Sequence, residues 1–309
     1  MRLGVTGVVL QRRFFMMGLG VAGLTMAVSR AGAQETAGSV PMERTTLHSL
    51  KATSNGRTYN LYVKTPPGYG DPANKGRRYP VIYLTDGDYT FQVASGVTRL
   101  THNAGKMDHV ILVGLPNAVG EDGMAARRRD LTPWVNSAMP GPNGGGKAFA
   151  EFITSQAFAL VDATYRTDPA QRTFVGQSYG GLLGLWIALA MPGHFSSYLL
   201  TSPSIWYAPK GLQQIEANYA SRNKDMKARI FMATGGFETV KSGSGDPRYN
   251  KENDMVADQA AMAKRLRARA YPGLQVRDMV IPGTIHETTF PIGFTYGMQW
   301  LYGVGALRG

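Results

Sequence analysis

Residues Arg172–Leu182 read RTFVGQSYGGL and place Ser178 between two glycines in the spacing Gly-x-Ser-x-Gly. Glycine supplies 38 of the 309 residues, well above the roughly 7% of an average protein, so this spacing alone is weak support for a site. Its flanks are more specific, because a short apolar run ends at Val175 and a longer, helix-like one covers Gly181–Met191. A strand that turns sharply into a helix displays a serine hydroxyl above the sheet, and glycines at the turn avoid collisions with neighbouring elements. The stretch therefore predicts an α/β fold with Ser178 as a candidate nucleophile.

Outward from this turn, short apolar runs alternate with segments of helical spacing. The apolar runs lack strict alternation, as expected of strands buried on both faces, and they are Pro80–Leu84, His109–Gly114, Arg172–Val175, Tyr198–Thr201, Ala228–Ala233 and Leu274–Ile281. The predicted helices are Lys147–Tyr165, Gly181–Met191, Asp254–Ala270 and Pro291–Tyr302. Strands that alternate with helices predict a doubly wound, mostly parallel sheet in a single domain.

Two further segments complete this outline. From Thr45 to Tyr62, two alternating segments flank the turn signal Ser54-Asn55-Gly56, which predicts an antiparallel hairpin at an edge of the sheet. From Pro116 to Gly146 the chain is rich in Gly, Pro, Arg and Asn, which predicts a long loop. Because this loop leaves the carboxyl end of a strand, where ligands bind in such sheets, we expect it to border a binding site.

Residues 1–33 are predicted to be an export signal. The segment contains no acidic residue, and its apolar run Phe14–Ser29 spans 16 residues, fewer than the roughly 20 that cross a membrane. Arg12 and Arg13 ahead of this run resemble a twin-arginine signal, and Ala31-Gly32-Ala33 matches a small-residue cleavage site. We therefore expect export by the twin-arginine machinery to a bacterial periplasm or the outside of the cell. The exported chain would begin near Gln34 and be free of the membrane, with an uncleaved membrane anchor as the alternative.

The composition narrows the possible partners and chemistry. Residues 34–309 suffice for one large core and suit a single α/β domain. The chain has no cysteine, which excludes disulfides, cysteine-ligated metals and thiol chemistry. The formal charge of +12 falls to +8 without the four arginines of the signal, and a basic surface favours anionic partners. Nucleic acid is not expected as a partner, because no basic run accompanies a recognisable binding fold. The dinucleotide-like pattern at 18–23 lies within the signal, so it predicts no cofactor.

A serine nucleophile requires a base to remove its proton and an acid to orient that base. In α/β-hydrolases the chain order is serine, acid, histidine, which leaves His194 and His286 among the five histidines. His194 ends the helix that follows the serine and is expected at the surface. His286 follows the last predicted strand, where the base belongs, so we predict His286 as the base.

The acid is expected in the connection after the strand Ala228–Ala233. That strand leads into Thr-Gly-Gly-Phe-Glu, which makes Glu238 the predicted acid. Asp246 and Asp254 lie further along the same connection and are the alternatives.

Backbone amides are expected to stabilise the oxyanion of the reaction. One donor is the residue after the nucleophile, Tyr179, and the other comes from the turn after Pro80–Leu84, where Gly87 lets the amide of Asp88 point inward. Metal binding by Asp86 and Asp88 is the less favoured interpretation, because two carboxylates without a partner motif usually mark a turn. We therefore predict no metal site.

Several segments together resemble the esterases related to periplasmic enterobactin, or siderophore, esterases of the α/β-hydrolase superfamily. The resemblance covers most of Tyr79–Phe290 and rests on Tyr83–Asp88, Arg129–Pro133, Phe149–Ile153, Tyr165–Pro169, Val175–Leu182, Phe195, Thr201–Trp206 and His286. Members of that family usually have histidine before the serine, where this chain has Gln177. Mycolyltransferases are also similar, at the turn Asp86-Gly87-Asp88 and at Glu238.

The resemblance implies hydrolysis of a carboxylic ester through an acyl-enzyme on Ser178, with a siderophore or related catecholate as substrate. It also implies that Arg129 borders the site, where it contacts an anionic or catecholate group or else anchors the loop. Trp206 follows a strand and is expected to form an aromatic wall of the site or to pack in the core. A general acyl or feruloyl esterase and an acyltransferase are alternatives of the same fold. A binding protein without catalysis is the alternative of another class.

Overall fold

One mixed sheet organises the molecule, of which the computed structural model describes residues 40–305. The predicted export signal therefore lies outside the described residues. The strands are β1 (Thr45–Lys51), β2 (Thr58–Lys64), β3 (Tyr79–Thr85), β4 (Ile111–Leu115), β5 (Thr167–Gln177), β6 (Ser197–Thr201), β7 (Ala228–Gly235) and β8 (Leu274–Ile281). Their order across the sheet is β1-β2-β4-β3-β5-β6-β7-β8. Strand β2 is antiparallel to both of its neighbours, and the remaining pairs are parallel.

Helices lie in the connections between the parallel strands, and a last helix follows β8. They are α1 (Gly87–Asn103), α2 (Gly123–Leu131), α3 (Gly146–Phe152), α4 (Phe158–Thr164), α5 (Tyr179–Ala190), α6 (Pro209–Arg222), α7 (Met255–Ala268) and α8 (His286–Tyr302). One π-helical turn, Ile153–Ala157, joins α3 to α4. Within residues 40–305, none of the helices combines the length and the apolar character needed to cross a bilayer.

This architecture confirms the predicted α/β fold. All six predicted strands are present, but β8 forms an edge of the sheet and only its last residue, Ile281, is buried, so the prediction that it is buried on both faces is wrong. The predicted hairpin is β1–β2, which forms the other edge around the turn at Gly56. The four predicted helical segments correspond to α3 with α4, and to α5, α7 and α8. The unit that contains these elements begins at Met42.

Three helices correct the prediction made from periodicity. The segment from Pro116 to Gly146, predicted as a continuous loop, contains α2, and both α1 and α6 were absent from the predicted helices. Helix α2 carries three consecutive arginines and few apolar residues, so it has no apolar stripe from which to infer a helix. Its start is set by Asp122, whose carboxylate accepts from the amide of Ala125 at 2.8 Å. This helix is therefore recognised by its N-terminal cap and not by the spacing of apolar residues, since its sequence is rich in charge.

The core has two layers, one on each face of the sheet. Alternate residues of β3 show this directly, because Tyr83 packs with the cluster under α5 while Leu84 packs with the cluster under α1 and α8. Phe174 of β5 and Phe294 of α8 are buried in the two layers respectively. The central strands are thus covered on both faces, which explains why their sequences are continuous apolar runs.

The strand order places a crevice at the carboxyl ends of β3 and β5. From β3 the chain moves to β4 on one side, and β5 returns to pair with β3 on the other, in register from Val81 with Arg172 to Leu84 with Val175. A reversal of this kind is a topological switch point, where open α/β sheets bind their ligands. The connections that leave β3 and β5 therefore meet at one site.

Buried His102 in α1 predicts loss of stability in mild acid. His102 is buried with its ring 5.1 Å from that of His109. Burial and the neighbouring His109 lower the pKa of His102 to about 4. In the unfolded chain the pKa of histidine is near 6.5, so between about pH 4 and pH 6.5 the unfolded chain binds a proton at His102 more readily than the folded chain does. Stability contributed by neutral His102 is complete above about pH 6.5 and falls as the pH approaches 4.

We expect the free energy of unfolding to drop by about 2 kcal/mol through His102 between pH 7 and pH 5. Urea denaturation at both pH values measures this difference, and His102→Gln is the comparison because glutamine does not titrate there. An equally large pH-dependent loss in His102→Gln would show that another group is responsible.

Candidate active site

Ser178 occupies a strained turn between β5 and α5. Its backbone has φ 60° and ψ −116°, a conformation that residues with a Cβ atom rarely adopt and that is typical of functional sites. A Cβ atom at Gly176 would lie 2.3 Å from the backbone of Gly180, and one at Gly180 would lie 2.3 Å from Thr85 Oγ1. The two glycines thus permit the tight strand-to-helix turn that places Ser178 at the crevice.

His286 and Glu238 form a direct pair beside this turn. His286 is the first residue of α8, and its Nδ1 lies 2.6 Å from Glu238 Oε2. The other carboxylate oxygen, Oε1, accepts hydrogen bonds from Ser202 Oγ at 2.6 Å, Gly235 N at 2.8 Å and Thr289 Oγ1 at 2.9 Å. Glu238 is only 1% exposed. Burial raises its pKa, but the hydrogen bonds from His286 and Ser202 outweigh this and hold the pKa below its usual value, so the carboxylate stays ionised.

The other candidates for base and acid lie elsewhere. His194 is exposed in the turn after α5. Asp254 caps α7, where it accepts from the amide of Ala257 at 2.9 Å. Asp246 is paired with Arg248 at the surface. Of the three acids considered from the sequence, the geometry brings Glu238 to His286.

Ser178 and His286 line the same cleft, which has a volume of about 430 Å³. The remaining lining residues are Tyr179, Ser204, Trp206, Asn250, Lys251, Glu252, Asn253, Met255 and Glu287. Because Nδ1 of His286 faces Glu238, its Nε2 is the nitrogen left for chemistry. The cleft therefore presents a hydroxyl and an imidazole whose orientation is set by a buried carboxylate.

Ser204 contacts the candidate nucleophile and was not singled out from the sequence. Its hydroxyl oxygen lies 3.2 Å from Ser178 Oγ, and its amide donates to the Ser178 carbonyl at 3.1 Å. Trp206, two residues later, lines the cleft with its ring 6.1 Å from that of Tyr179. Trp206 thus forms part of the wall of the cleft and also packs against the core.

The two predicted oxyanion donors lie at the starts of helices. Tyr179 is the first residue of α5, and Asp88 lies in the first turn of α1, where helix amides have no carbonyl one turn earlier. A Cβ atom at Gly87 would lie 2.7 Å from the amide nitrogen of Leu115, so the turn requires glycine for its close approach to β4. The Asp88 carboxylate accepts from the amide of Asn117 at 3.3 Å. The carboxylate of Asp88 is therefore engaged with Asn117, and its backbone amide lies at the start of a helix, as the predicted role of oxyanion donor requires.

Arg129, predicted to contact substrate or to anchor the loop, lies outside the lining of the cleft. Its Nε and Nη2 each donate to the Asp130 carboxylate at 2.8 Å, and Nη1 is bound to Glu121. Asp130 also accepts from the Tyr59 hydroxyl at 2.9 Å. Arg129 thus pairs with two carboxylates of its own segment, as expected for the alternative in which it anchors the loop.

Arg127, two residues earlier, is the arginine that reaches the crevice. Its guanidinium forms two hydrogen bonds with buried Asp86 and one with the Gln177 carbonyl. Burial opposes its charge, but Asp86 more than offsets this and raises the pKa of Arg127. Successive helix residues point about 100° apart, so assigning α2 as a helix from the sequence would have separated Arg127 from Arg129.

Gln177, which stands where the related family usually has histidine, holds the backbone of the candidate base. Its Nε2 donates to the His286 carbonyl at 2.9 Å, and its Oε1 accepts from the Thr201 hydroxyl. Both ends of the amide are therefore used. The substitution leaves Ser178 in place and ties the end of β5 to the start of α8.

Residues 52–296, most of the chain, match the family described as "Putative esterase". The chain belongs to that family. This esterase is 28% identical over 272 residues to the ferri-bacillibactin esterase BesA of Bacillus subtilis, which covers 83% of the esterase and 89% of BesA. The family and this relative establish a hydrolase that acts on ester bonds.

Solved structures show the same fold. The BES protein from Bacillus cereus has a TM-score of 0.73 and 22% identity, over 87% of the esterase and 99% of that chain. The siderophore hydrolase EstB from Aspergillus nidulans has a TM-score of 0.72 and 20% identity, over 86% of the esterase and 98% of that chain. These likenesses confirm the predicted α/β-hydrolase fold.

Proposed function

We propose that this esterase hydrolyses a siderophore ester through an acyl-enzyme on Ser178, with His286 as base and Glu238 as the acid that orients it. The single observation that carries the proposal is the 2.6 Å contact of His286 Nδ1 with buried Glu238, in the same cleft as Ser178. A carboxylate on Nδ1 selects the tautomer that leaves Nε2 free to accept a proton.

The proposed reaction has two halves. In acylation, Nε2 of His286 takes the Ser178 proton while Oγ attacks the ester carbonyl, and the proton then passes to the departing alcohol oxygen. In deacylation, His286 takes a proton from water, whose oxygen attacks the acyl carbon, and the proton returns to Ser178 Oγ as the acid is released. Glu238 remains ionised throughout and stabilises the imidazolium. The amides of Tyr179 and Asp88 donate to the oxyanion in both halves.

The substrate class is supported by the relatives and by the cleft. One relative is named as a ferri-bacillibactin esterase, and one structural neighbour as a siderophore hydrolase. In the cleft, Tyr179 and Trp206 supply aromatic surface for a flat ring, and the charged side chains of the lining are Lys251, Glu252 and Glu287. The aromatic surface suits the rings of a catecholate siderophore.

The proposed location is the periplasm or the outside of the cell, after export by the twin-arginine machinery. The support is the paired Arg12 and Arg13, the short apolar run after them and the small residues at 31–33. Fractionation of cells that express the full chain tests this: we expect the shortened protein in the periplasmic or extracellular fraction, and its retention in cells with Arg12→Lys and Arg13→Lys. Full-length protein in the cytoplasm would contradict the proposal.

A comparison of kcat/KM between two classes of ester tests the proposed function. We expect purified Gln34–Gly309 to hydrolyse a ferric catecholate trilactone with a higher kcat/KM than short p-nitrophenyl esters, and Ser178→Ala to lose both activities. Turnover of the small esters alone would indicate a general esterase, and transfer of the acyl group to an added alcohol would indicate an acyltransferase. Undiminished hydrolysis by Ser178→Ala would contradict the acyl-enzyme.

A further inference from the structure

Arg127 connects the two turns that carry the proposed oxyanion donors. Its Nε donates to Asp86 Oδ1 at 2.6 Å, and its Nη2 donates to Asp86 Oδ2 at 3.1 Å and to the Gln177 carbonyl at 3.2 Å. The guanidinium carbon lies 5.4 Å from the centre of the Tyr179 ring. One side chain therefore contacts the residue that precedes α1 and both chain neighbours of Ser178.

The backbone on both sides of this contact is strained. Asp86 has φ 56° and Ser178 has φ 60°, and neither is glycine. Such conformations persist where surrounding contacts hold them. A bidentate arginine–carboxylate pair fixes both distance and plane, and Asp86 is buried, so water competes little for its oxygens. The pair is thus suited to hold the turn after β3 against the turn after β5.

We propose that Arg127 is a positioning residue of this esterase. By holding Asp86 against the Gln177 carbonyl, it sets the separation of the Tyr179 and Asp88 amides. The inference rests on the proposed function, because two aligned amide donors matter to a reaction that forms a tetrahedral oxyanion. Arg127 is 16% exposed at its side chain and its charge is balanced by Asp86, so it acts through geometry rather than by direct contact with substrate.

Geometry is the sensitive quantity in such a site. Donors must lie about 2.7 to 3.1 Å from the position of the oxyanion oxygen. The carbonyl oxygen of the bound substrate lies at a somewhat different position. Lysine at position 127 would keep the charge but has no fork, so it cannot bind both Asp86 oxygens and the Gln177 carbonyl in one plane. Loss of the fork should therefore weaken binding of the transition state more than binding of the substrate.

The test is Arg127→Lys, assayed with a p-nitrophenyl ester and with a trifluoromethyl ketone that forms a tetrahedral adduct. We expect kcat to fall by about 10- to 100-fold and KM to stay within about two-fold. Affinity for the ketone should fall by the same factor as kcat/KM, because both depend on the oxyanion donors. A residue that served stability alone would lower Tm without changing the ratio of ketone affinity to KM.

Arg269→Lys is the matched control. Arg269 binds the buried Glu216 carboxylate with the same two-pronged geometry, at 2.5 and 2.8 Å, between the end of α7 and α6. Both residues lie outside the lining of the cleft. We expect this variant to lower Tm while kcat and ketone affinity remain parental.

Two results would overturn the inference: a kcat of Arg127→Lys within about two-fold of the parent, or an equal fall in Arg269→Lys. If Arg127→Lys does not fold, Asp86→Asn provides the test. This variant loses one of the two hydrogen bonds between residues 86 and 127, so we expect a smaller fall in kcat with KM again unchanged. An unchanged kcat in Asp86→Asn would then overturn the inference that Arg127 is a positioning residue. Labelling by a fluorophosphonate separates this from the proposed function: a labelled parent and an unlabelled Ser178→Ala leave the function standing whatever Arg127→Lys does.

Discussion

Replacing His286 with alanine is expected to slow acyl-enzyme formation by roughly 10⁴- to 10⁶-fold. The serine hydroxyl is a weak nucleophile at neutral pH, and the proposed base, His286, lines the same cleft. Removing the imidazole also removes the group proposed to protonate the leaving alcohol. The residual rate should come from binding and from the oxyanion donors, which lie on other elements.

Stopped-flow release of p-nitrophenol measures the acylation rate, and Tm shows whether the variant is folded. His194→Ala is the control, because His194 is exposed in the turn after α5 and should leave the rate unchanged. Near-parental acylation by His286→Ala would mean that another group removes the serine proton.

Replacing Glu238 with glutamine should lower kcat by roughly 10³- to 10⁴-fold. Glutamine has nearly the same shape, but it replaces the negative charge that balances the imidazolium and can present an N–H to His286 in place of an acceptor. That N–H would favour the tautomer with hydrogen on Nε2, which cannot accept the Ser178 proton. The loss should appear in kcat more than in KM, because Glu238 is buried behind His286 and lies outside the lining of the cleft.

Steady-state kinetics of Glu238→Gln and Asp246→Asn separate the acid from its alternative. Asp246 belongs to the same connection but is paired with Arg248 at the surface, so its variant should keep parental kcat. The opposite ranking of the two variants would move the acid to Asp246. Unimpaired activity in both would contradict Glu238 and Asp246 and leave Asp254 as the remaining candidate for the acid.

Local patterns in the sequence determined the fold class and the order of the candidate groups. Glycine spacing and the change from a strand to a helix at Val175–Leu182 predicted the turn that presents Ser178, and the structure has it with the strained backbone such turns require. Chain order after that turn predicted Glu238 and His286, and these residues meet at 2.6 Å. Such features depend on residues that are close in sequence and on the order of elements along the chain, and both can be read from one amino-acid sequence.

Only the tertiary structure decided which distant side chains meet. Arg127 and Asp86 are 41 positions apart, and Gln177 and His286 are 109 positions apart, so no local pattern joins them. Arg127 and Arg129 are the same residue type two positions apart, yet the first pairs with Asp86 and the second with Asp130 and Glu121, because α2 turns their side chains in different directions. Periodicity reports which face of an element is buried, whereas the partner of a charged side chain depends on how separate elements pack, and that is settled only when the chain has folded.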